Sequence, residues 1–302
     1  MRVLTFNVQN LRLRRAGGRA RLDGARDHDD PEGADPLSHA LDFADRRLTA
    51  EVLARADADI CALQEVFDRP SLTYFHDHIM RVTGAAPWPY RCCLPGNDGA
   101  GRDVAAMARK PFAATGHARV LPRDLGLATD RPELPVFCRD CLMVEQGMVT
   151  FFIVHFKAPW PDRDEAWHRR RIEALALKRL IERRFPDPHA ALWMVLGDLN
   201  DPRQDAERAV APLLNGFSYD LTQRMHEAER WTWWHEDGYR GCPDAMLASR
   251  ALAERWPDAV PRAIRAGMGR EAGGANPRLE DVGDHRPHAS DHAALVLDLD
   301  GL

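Results

Sequence analysis

The sequence predicts one mixed α/β or α+β domain over residues 1–302. Short apolar runs of strand length alternate with longer amphipathic stretches from end to end. No internal repeat and no long low-complexity linker divides the chain. A length of 302 residues, 45% hydrophobic and 29% charged, suits an ordinary globular protein with one large core or two small ones.

Taken in order, the chain opens on a strand from Arg2 to Val8, an apolar run that ends at a polar Asn-containing segment. Further short apolar runs bounded by polar residues read as strands: Ile60 to Gln64, Val104 to Ala108, Leu142 to Glu145, Val149 to Phe156, Ala191 to Leu196, Ala245 to Leu247 and Ala293 to Leu299. Helices are expected over Leu41 to Ala56, Ser71 to Thr83 and Asp164 to Phe185. The last carries Ile172, Ala176 and Leu180 at four-residue spacing, flanked by Leu177 and Ile181. Its other face is rich in Arg and Glu, as an outer helix requires, and Pro186 and Pro188 end it. Three segments read as long loops: 16–37, 122–135 and 267–290. The first and third flank chemically loaded residues and are expected to rim a site.

Composition narrows the function. The net charge is −5 and the sequence pI is about 6.2, which argues against a general nucleic-acid coat protein and leaves a nuclease open, because the charge around a cleft matters more than the sum. Lysine occurs only at Lys110, Lys157 and Lys178, an Arg-for-Lys bias. No apolar run reaches the roughly 18–20 residues of a membrane span, and a strand from the first residues leaves no room for a signal peptide. With six cysteines, most inside apolar runs, the chain reads as cytoplasmic and reduced; a secreted form that has lost a leader is the alternative. Cys138 and Cys141 form a lone C-x-x-C on an extended segment, where positions three apart face opposite ways, so a zinc site is not expected there.

Polar residues at the strand ends are the stronger signal. Val3 to Phe6 ends at Asn7, Ile60 to Leu63 at Gln64-Glu65, Phe151 to Val154 at His155-Phe156-Lys157, and Trp193 to Leu196 at Gly197-Asp198-Leu199-Asn200. Ser290-Asp291-His292 sits just before the run from Ala293. Singly, each could be a turn, a cap or a satisfied core histidine. Together they offer three carboxylates, two carboxamides and two imidazoles where sheet folds build sites. Such a set suits a hard cation with oxygen ligands: magnesium or manganese, with calcium a third candidate. No P-loop, G-x-S-x-G elbow, dinucleotide fingerprint or H-E-x-x-H zinc motif is present.

In this order the motifs resemble those of the endonuclease/exonuclease/phosphatase superfamily, the group of deoxyribonuclease I, AP endonucleases and neutral sphingomyelinases. Thr5-Phe6-Asn7-Val8-Gln9-Asn10 resembles its opening strand, Leu63-Gln64-Glu65-Val66 its L-Q-E motif, and Gly101-Arg102-Asp103-Val104-Ala105 with Arg109-Lys110-Pro111 its G-x-D-V-A and S-R-x-P region. Phe137-Cys138-Arg139 resembles the F-x-R step, Val154-His155-Phe156-Lys157 the N-H-L-K segment, Gly197-Asp198-Leu199-Asn200 the G-D-x-N motif, and Ser290-Asp291-His292 the S-D-H signature. Asp244 keeps the carboxylate of the I-D-x-I-L-x-S motif, although Pro243 and Ala245 depart from it. Trp231-Thr232-Trp233-Trp234 resembles an upstream W-T-W element and is read as core packing.

The resemblance implies a deoxyribonuclease I-like four-layer α/β/β/α sandwich of two mixed sheets with outer helices. It implies metal ligation by Glu65 with Asn7, Asp291 and Asp198. It gives catalytic roles to His155, Asp198, Asn200, Asp244 and His292, with Asp244 fixing His292. His155 is expected to pair with Asp103 or Asp98. Arg139, Lys157, Asp103 and Asn10 are assigned to substrate binding, Arg139 as a bidentate phosphate donor. Two arginine groups, one around residues 12–21 and one made of Arg262, Arg265, Arg270, Arg278 and Arg286, are candidate basic rims. The first expectation is a monomeric nuclease acting on DNA or RNA, the second a small-molecule or lipid phosphodiesterase or phosphatase. An inactive scaffold on the same fold is the third.

Overall fold

The computed structural model describes the whole chain apart from residues 17–18, 28–35, 203–204, 206, 236 and 275–276. Two six-stranded sheets stack face to face. The first runs in the order Arg262–Ile264, Ala294–Asp298, Arg2–Leu11, Ile60–Val66, Asp103–Ala108, Tyr90–Cys93. The second runs Tyr219–Asp220, Asp244–Ala248, Trp193–Asp198, Val149–His155, Leu142–Gln146, Ala113–Gly116. In both, the central pair is parallel and every other neighbour antiparallel.

Strand alternation splits the core into layers. Val3, Ile60, Ala62, Val104 and Ala106 of the first sheet meet Leu142, Phe151, Ile153, Met194, Leu196 and Met246 of the second. The opposite face of the first sheet, with Leu4, Phe6, Cys61 and Leu63, packs on Leu48, Val52 and Leu53 of the helix Pro36–Ala56 and on Leu72, Phe75 and Ile79. The outer face of the second sheet, with Phe152, Val154, Trp193 and Val195, packs on Ala174, Leu177 and Ile181 of the helix Arg163–Arg184. The result is the expected four-layer sandwich.

All eight expected strands form, with ends moved by up to three residues. The long helix begins at Arg163, where the Asp162 carboxylate caps the amides of Asp164 and Glu165 at 3.0 Å each. The expected helix from Ser71 to Thr83 is instead three segments: an α-helix Arg69–Tyr74, a π turn Phe75–Ile79 and a 3₁₀ turn Met80–Thr83. The wide middle turn keeps Phe75 and Ile79 both buried. The charged face of the long helix is not wholly outward either. Glu173 is fully buried, accepting from Cys138 N and Lys157 N at 2.8 Å each, and Arg170 donates to Lys157 O at 3.0 Å. These residues anchor the chain just beyond His155.

Part of loop 16–37 lies outside the described residues; its described portion holds the strand Arg19–Leu22, paired with Leu13–Ala16. The described parts of this loop and of 267–290 meet where His285 Nε2 lies 2.8 Å from Asp27 Oδ2 and where Gln9 Nε2 donates to Asp27 Oδ1 at 3.2 Å. All six cysteines are free. Among the described residues no helix is long and apolar enough to cross a membrane.

Candidate active site

Parallel pairing brings the carboxyl ends of two strands to the same edge of a sheet. In the first sheet this sets Asn7 opposite Gln64, one residue short of Glu65. In the second it sets His155 opposite Asp198. The antiparallel neighbour starts where its partner stops, so Asp244 also faces Asp198, and His292 lies just ahead of the strand that begins at Ala294. Four strand ends and two strand starts therefore converge without any long loop to position them.

Local irregularity turns the side chains inward. Glu65 has φ +63°, and the pairing register shifts there on both sides of its strand. A bulge of this kind re-aims a side chain. Gln9, Asn10 and Asn200 are also left-handed, with φ of 47°, 61° and 49°. Among the described residues, four of the five non-glycine residues with positive φ thus lie at this one place, where strain is over-determined by the surroundings. Gly197 has φ +145°, and a Cβ there would lie 1.9 Å from Val154 O, so only glycine lets the Asp198 strand lie against the His155 strand.

Asp198 is the centre. Its Oδ2 accepts from Asn7 Nδ2 at 3.2 Å and lies 3.6 Å from His155 Nε2 and 3.8 Å from His292 Nε2. Its Oδ1 accepts from Asn200 N at 2.8 Å. Asn7 Nδ2 also reaches Glu65 Oε1 at 3.3 Å, and Glu65 Oε2 accepts from Asn10 N at 3.0 Å. His292 Nδ1 pairs with Asp244 Oδ2 at 2.8 Å. Asp291 is held by Trp233 Nε1 on its Oδ2 at 3.1 Å and by Gln9 Oε1, which accepts from its backbone amide at 3.0 Å. Ser290 Oγ donates to Asn7 O at 2.7 Å, closing the link to the first strand.

Burial and charge oppose one another here. Burial raises the Asp198 carboxyl to about 7, against His292 and the Asn200 and Asn7 hydrogen bonds, which favour its charged form. For His292 burial favours the neutral ring, but Asp244, Asp291 and the Asp244 hydrogen bond outweigh it and lift the pKa well above the ordinary histidine value. His155 goes the other way: burial first, then the positive charges of Arg139, His292 and Arg102, hold it well below that value. Two buried imidazoles beside one carboxylate thus favour opposite protonation states. That is the pattern by which a site keeps an acid and a base at one pH.

The donor set fits a hard divalent cation. Asp198, Asp244 and His292 offer ligand atoms within 4.8 Å of one another, all buried, and Glu65 and Asp291 add carboxylates beside them. Asp244 Oδ1 is buried without a hydrogen-bond partner, a costly state for a carboxylate oxygen unless a cation or proton completes it.

Several expectations need correction. His155 pairs with neither Asp103 nor Asp98: its Nδ1 is buried without a hydrogen-bond partner. Asp103 Oδ2 accepts from Gly96 N at 2.8 Å, and Asp98 accepts from Arg102 N at 3.0 Å. Arg139 is only 8% exposed and donates through Nη1 to Phe156 O at 2.9 Å, so it braces the backbone after His155. Lys157 Nζ donates to Trp160 O. Asn7 turns its amide nitrogen to Glu65 and Asp198, and its Oδ1 accepts from Gln9 N at 3.1 Å. The second basic rim is largely structural: Arg265 binds Trp231 O and Glu229 and lies 4.2 Å over the Trp231 ring, Arg286 pairs with Asp42 and Asp45, and Arg278 binds Met268 O. Trp231 is core, as expected, but Trp233 belongs to the site.

Gln9, Arg102, Trp233 and Ser290 are the site residues that sequence reasoning left without a role. Each lies within or beside a quoted motif, which was the available signal. Each has a partner more than fifty residues away: Gln9 and Trp233 on Asp291, Arg102 on Asn10, and Ser290 on Asn7.

The comparisons agree with this geometry. The family model described as Endonuclease/Exonuclease/phosphatase family matches residues 4–292. No curated protein matches the chain in sequence. Solved structures share the fold at low identity. Truncated TDP2 from Caenorhabditis elegans aligns at TM-score 0.57 and 16% identity, over 98% of this chain and 95% of its own. A 3′-5′ exonuclease (NExo) from Neisseria meningitidis aligns at 0.58 and 16%, over 99% and 100%. An AP endonuclease from Archaeoglobus fulgidus aligns at 0.58 and 15%, over 99% of both. With the family match covering almost the entire chain and the two-sheet fold shared with these structures, this protein belongs to the endonuclease/exonuclease/phosphatase family of metal-dependent phosphoester hydrolases.

Proposed function

We propose that the protein hydrolyses phosphodiester bonds of nucleic acid, with Asp198 and the His292–Asp244 pair handling the attacking water. The observation that carries this reading is the placement of Asp198 between two imidazoles of opposite protonation tendency. Asp244 fixes the His292 tautomer through Nδ1, leaving Nε2 turned toward Asp198. Asp198 orients the water and takes up its proton. Asn200 N holds the other Asp198 oxygen in place. His155 approaches the same Asp198 oxygen as His292 and contacts the phosphate as a neutral ring.

Glu65, Asp291 and Asp198 would hold the cation, magnesium or manganese by their oxygen chemistry and calcium as a third choice. When bound, it neutralises phosphate charge and stabilises the departing oxyanion. Nuclease and AP endonuclease neighbours on the same fold support a nucleic-acid substrate. A second reading, a small-molecule or lipid phosphodiesterase, draws support from the net charge of −5 and from the arginines consumed in structural pairs, since a polyanion binder gains from free basic surface.

The test is a panel of supercoiled plasmid, single-stranded DNA, RNA, sphingomyelin, inositol phosphates and bis-p-nitrophenyl phosphate, with magnesium, manganese, calcium or EDTA. Plasmid nicking abolished by EDTA and by His292→Ala is the expected result. Turnover confined to a lipid or sugar phosphate overturns the nucleic-acid assignment.

A further inference from the structure

We propose that Arg102, and not Arg139, is the arginine that grips the substrate phosphate. The proposal rests on the phosphodiesterase reading above and adds a residue to it.

Arg102 follows Gly101, whose φ of +83° turns the chain at the start of the strand Asp103–Ala108. One edge of its guanidinium is fixed. Nε donates to Asn10 Oδ1 at 2.7 Å and lies 3.7 Å from Glu65 Oε2. Asn10 is itself fixed from two further directions, by its amide on Glu65 Oε2 at 3.0 Å and by Nδ2 on Arg26 O at 2.8 Å. Neither Nη atom of Arg102 has a protein partner among the described residues, and the side chain keeps 25% of its exposure. Its charge also reaches the far side of the site, where it helps depress His155.

A planar fork held by one edge beside Glu65, with its other donors without a hydrogen-bond partner among the described residues, is pre-organised for two parallel hydrogen bonds to phosphate oxygens. Pinning Nε removes much of the side-chain entropy that binding would otherwise cost. Arg139 differs in being buried: its Nη1 is committed to Phe156 O, and its unpartnered Nε is shut away from solvent. The ordinary alternative is that Arg102 only balances the charge of Glu65. In that case its loss would change the metal requirement and leave phosphate binding alone.

The experiment uses the full chain with magnesium and measures inorganic phosphate binding by calorimetry, alongside the kcat and KM for bis-p-nitrophenyl phosphate. Charge-assisted hydrogen bonds contribute about 1.5–3 kcal/mol, which corresponds to roughly 10- to 150-fold in affinity. Arg102→Gln is therefore expected to weaken phosphate binding by at least about tenfold. Arg102→Lys should recover only part of the loss, since it restores charge without the fork. Arg139→Gln should lower the melting temperature and, in its folded fraction, weaken phosphate binding less than Arg102→Gln does. Phosphate affinity of Arg102→Gln within twofold of wild type, or no phosphate binding by the wild type at 10 mM, overturns the proposal. Weakened phosphate binding in Arg102→Gln with no phosphodiester turnover by the wild type would sustain Arg102 as a phosphate ligand while removing the proposed function.

Discussion

The two sheets follow the same plan, a parallel pair flanked by antiparallel strands, yet each delivers a different half of the site. The first contributes Asn7 and Glu65, with Asn10, Gln9 and Arg102 around them. Here the side chains are set by left-handed backbone and by hydrogen bonds from main-chain amides, and Glu65 keeps 17% exposure. The second contributes His155, Asp198 and Asp244, all 3% exposed or less. Here protonation is set by burial and by neighbouring charge. The contrast separates two problems that a metal-dependent hydrolase has to solve. A cation site needs oxygen atoms held in a geometry and open to an ion. A proton-transfer site needs titratable groups removed from water so that their pKa values can diverge.

Breaking the second half, or the first sheet's His292 that pairs with its Asp244, should therefore act on turnover, and breaking Glu65 of the first on metal. His292→Ala or Asp244→Asn is expected to reduce kcat at saturating metal by roughly 10²–10⁴-fold, the range of a lost general acid–base group. Glu65→Gln is expected to raise the metal concentration for half-maximal activity by at least the roughly 10–100-fold that follows loss of a supporting contact. Much of its kcat should return at saturating metal. If both classes of variant move kcat alike at saturating metal, the division of labour is wrong.

The second sheet also depends on a closer backbone approach. Gly197→Ala would place a Cβ 1.9 Å from Val154 O at φ +145°. Strain of this backbone type costs about 1–3 kcal/mol before the collision is counted, so unfolding by urea should show a loss of about 3 kcal/mol or more. The corresponding change at Gly84, which has φ +73° and nothing within 4 Å, carries the conformational cost alone and should lose about 1 kcal/mol. Equal losses at the two glycines would show that close packing between the Asp198 and His155 strands is not what the glycine serves.

A milder cut falls on the first half. Trp233→Phe keeps the ring and removes the Nε1 donor to Asp291 Oδ2. Apparent metal affinity should fall by several-fold, toward the lower end of the range for lost outer partners, with kcat at saturating metal preserved. A change in kcat alone would place Trp233 with the proton-transfer half instead.

Much of this architecture was legible in the sequence because strand ends are local. A run of apolar residues followed by Asn7, Glu65, His155 or Asp198 reveals both the element and its polar terminus, and all eight expected strands form. The short edge strands Tyr90–Cys93, Ala113–Gly116 and Arg262–Ile264 were not legible, since they carry little alternation and are held by their neighbours. Side-chain partnerships were not legible either. Asp103 lies near His155 in motif order, yet its carboxylate turns to Gly96 N, and Arg139 reads as a phosphate donor until its burial against Phe156 O is seen. The arginines at 265, 278 and 286 resemble a basic rim in sequence, whereas Arg265 and Arg278 close onto carbonyls and Arg286 onto two buried aspartates of the helix Pro36–Ala56. One-dimensional charge does not distinguish an open arginine from one that has already found its partner.

Asp103 gives the smallest expected effect. Burial pushes its carboxyl up to about 6, with Asp140 and Asp98 adding repulsion and the Gly96 amide and Arg139 opposing it. Its Oδ1 is buried without a partner. A carboxyl whose folded-state pKa lies above its unfolded value of 3.8 stabilises the fold fully below that lower value, and the contribution is lost as pH rises through about 6. Asp103→Asn cannot ionise and does not lose it. The melting temperature of Asp103→Asn minus that of wild type should therefore become more positive between pH 4 and pH 7, by a few degrees at most. Because Asp103 lies in the first sheet, close to the partly open half of the site, the same scan tests whether protonation matters there too. A difference that stays flat across this range would mean that water reaches the Asp103 carboxylate and screens it, and that burial sets protonation only in the second sheet's half.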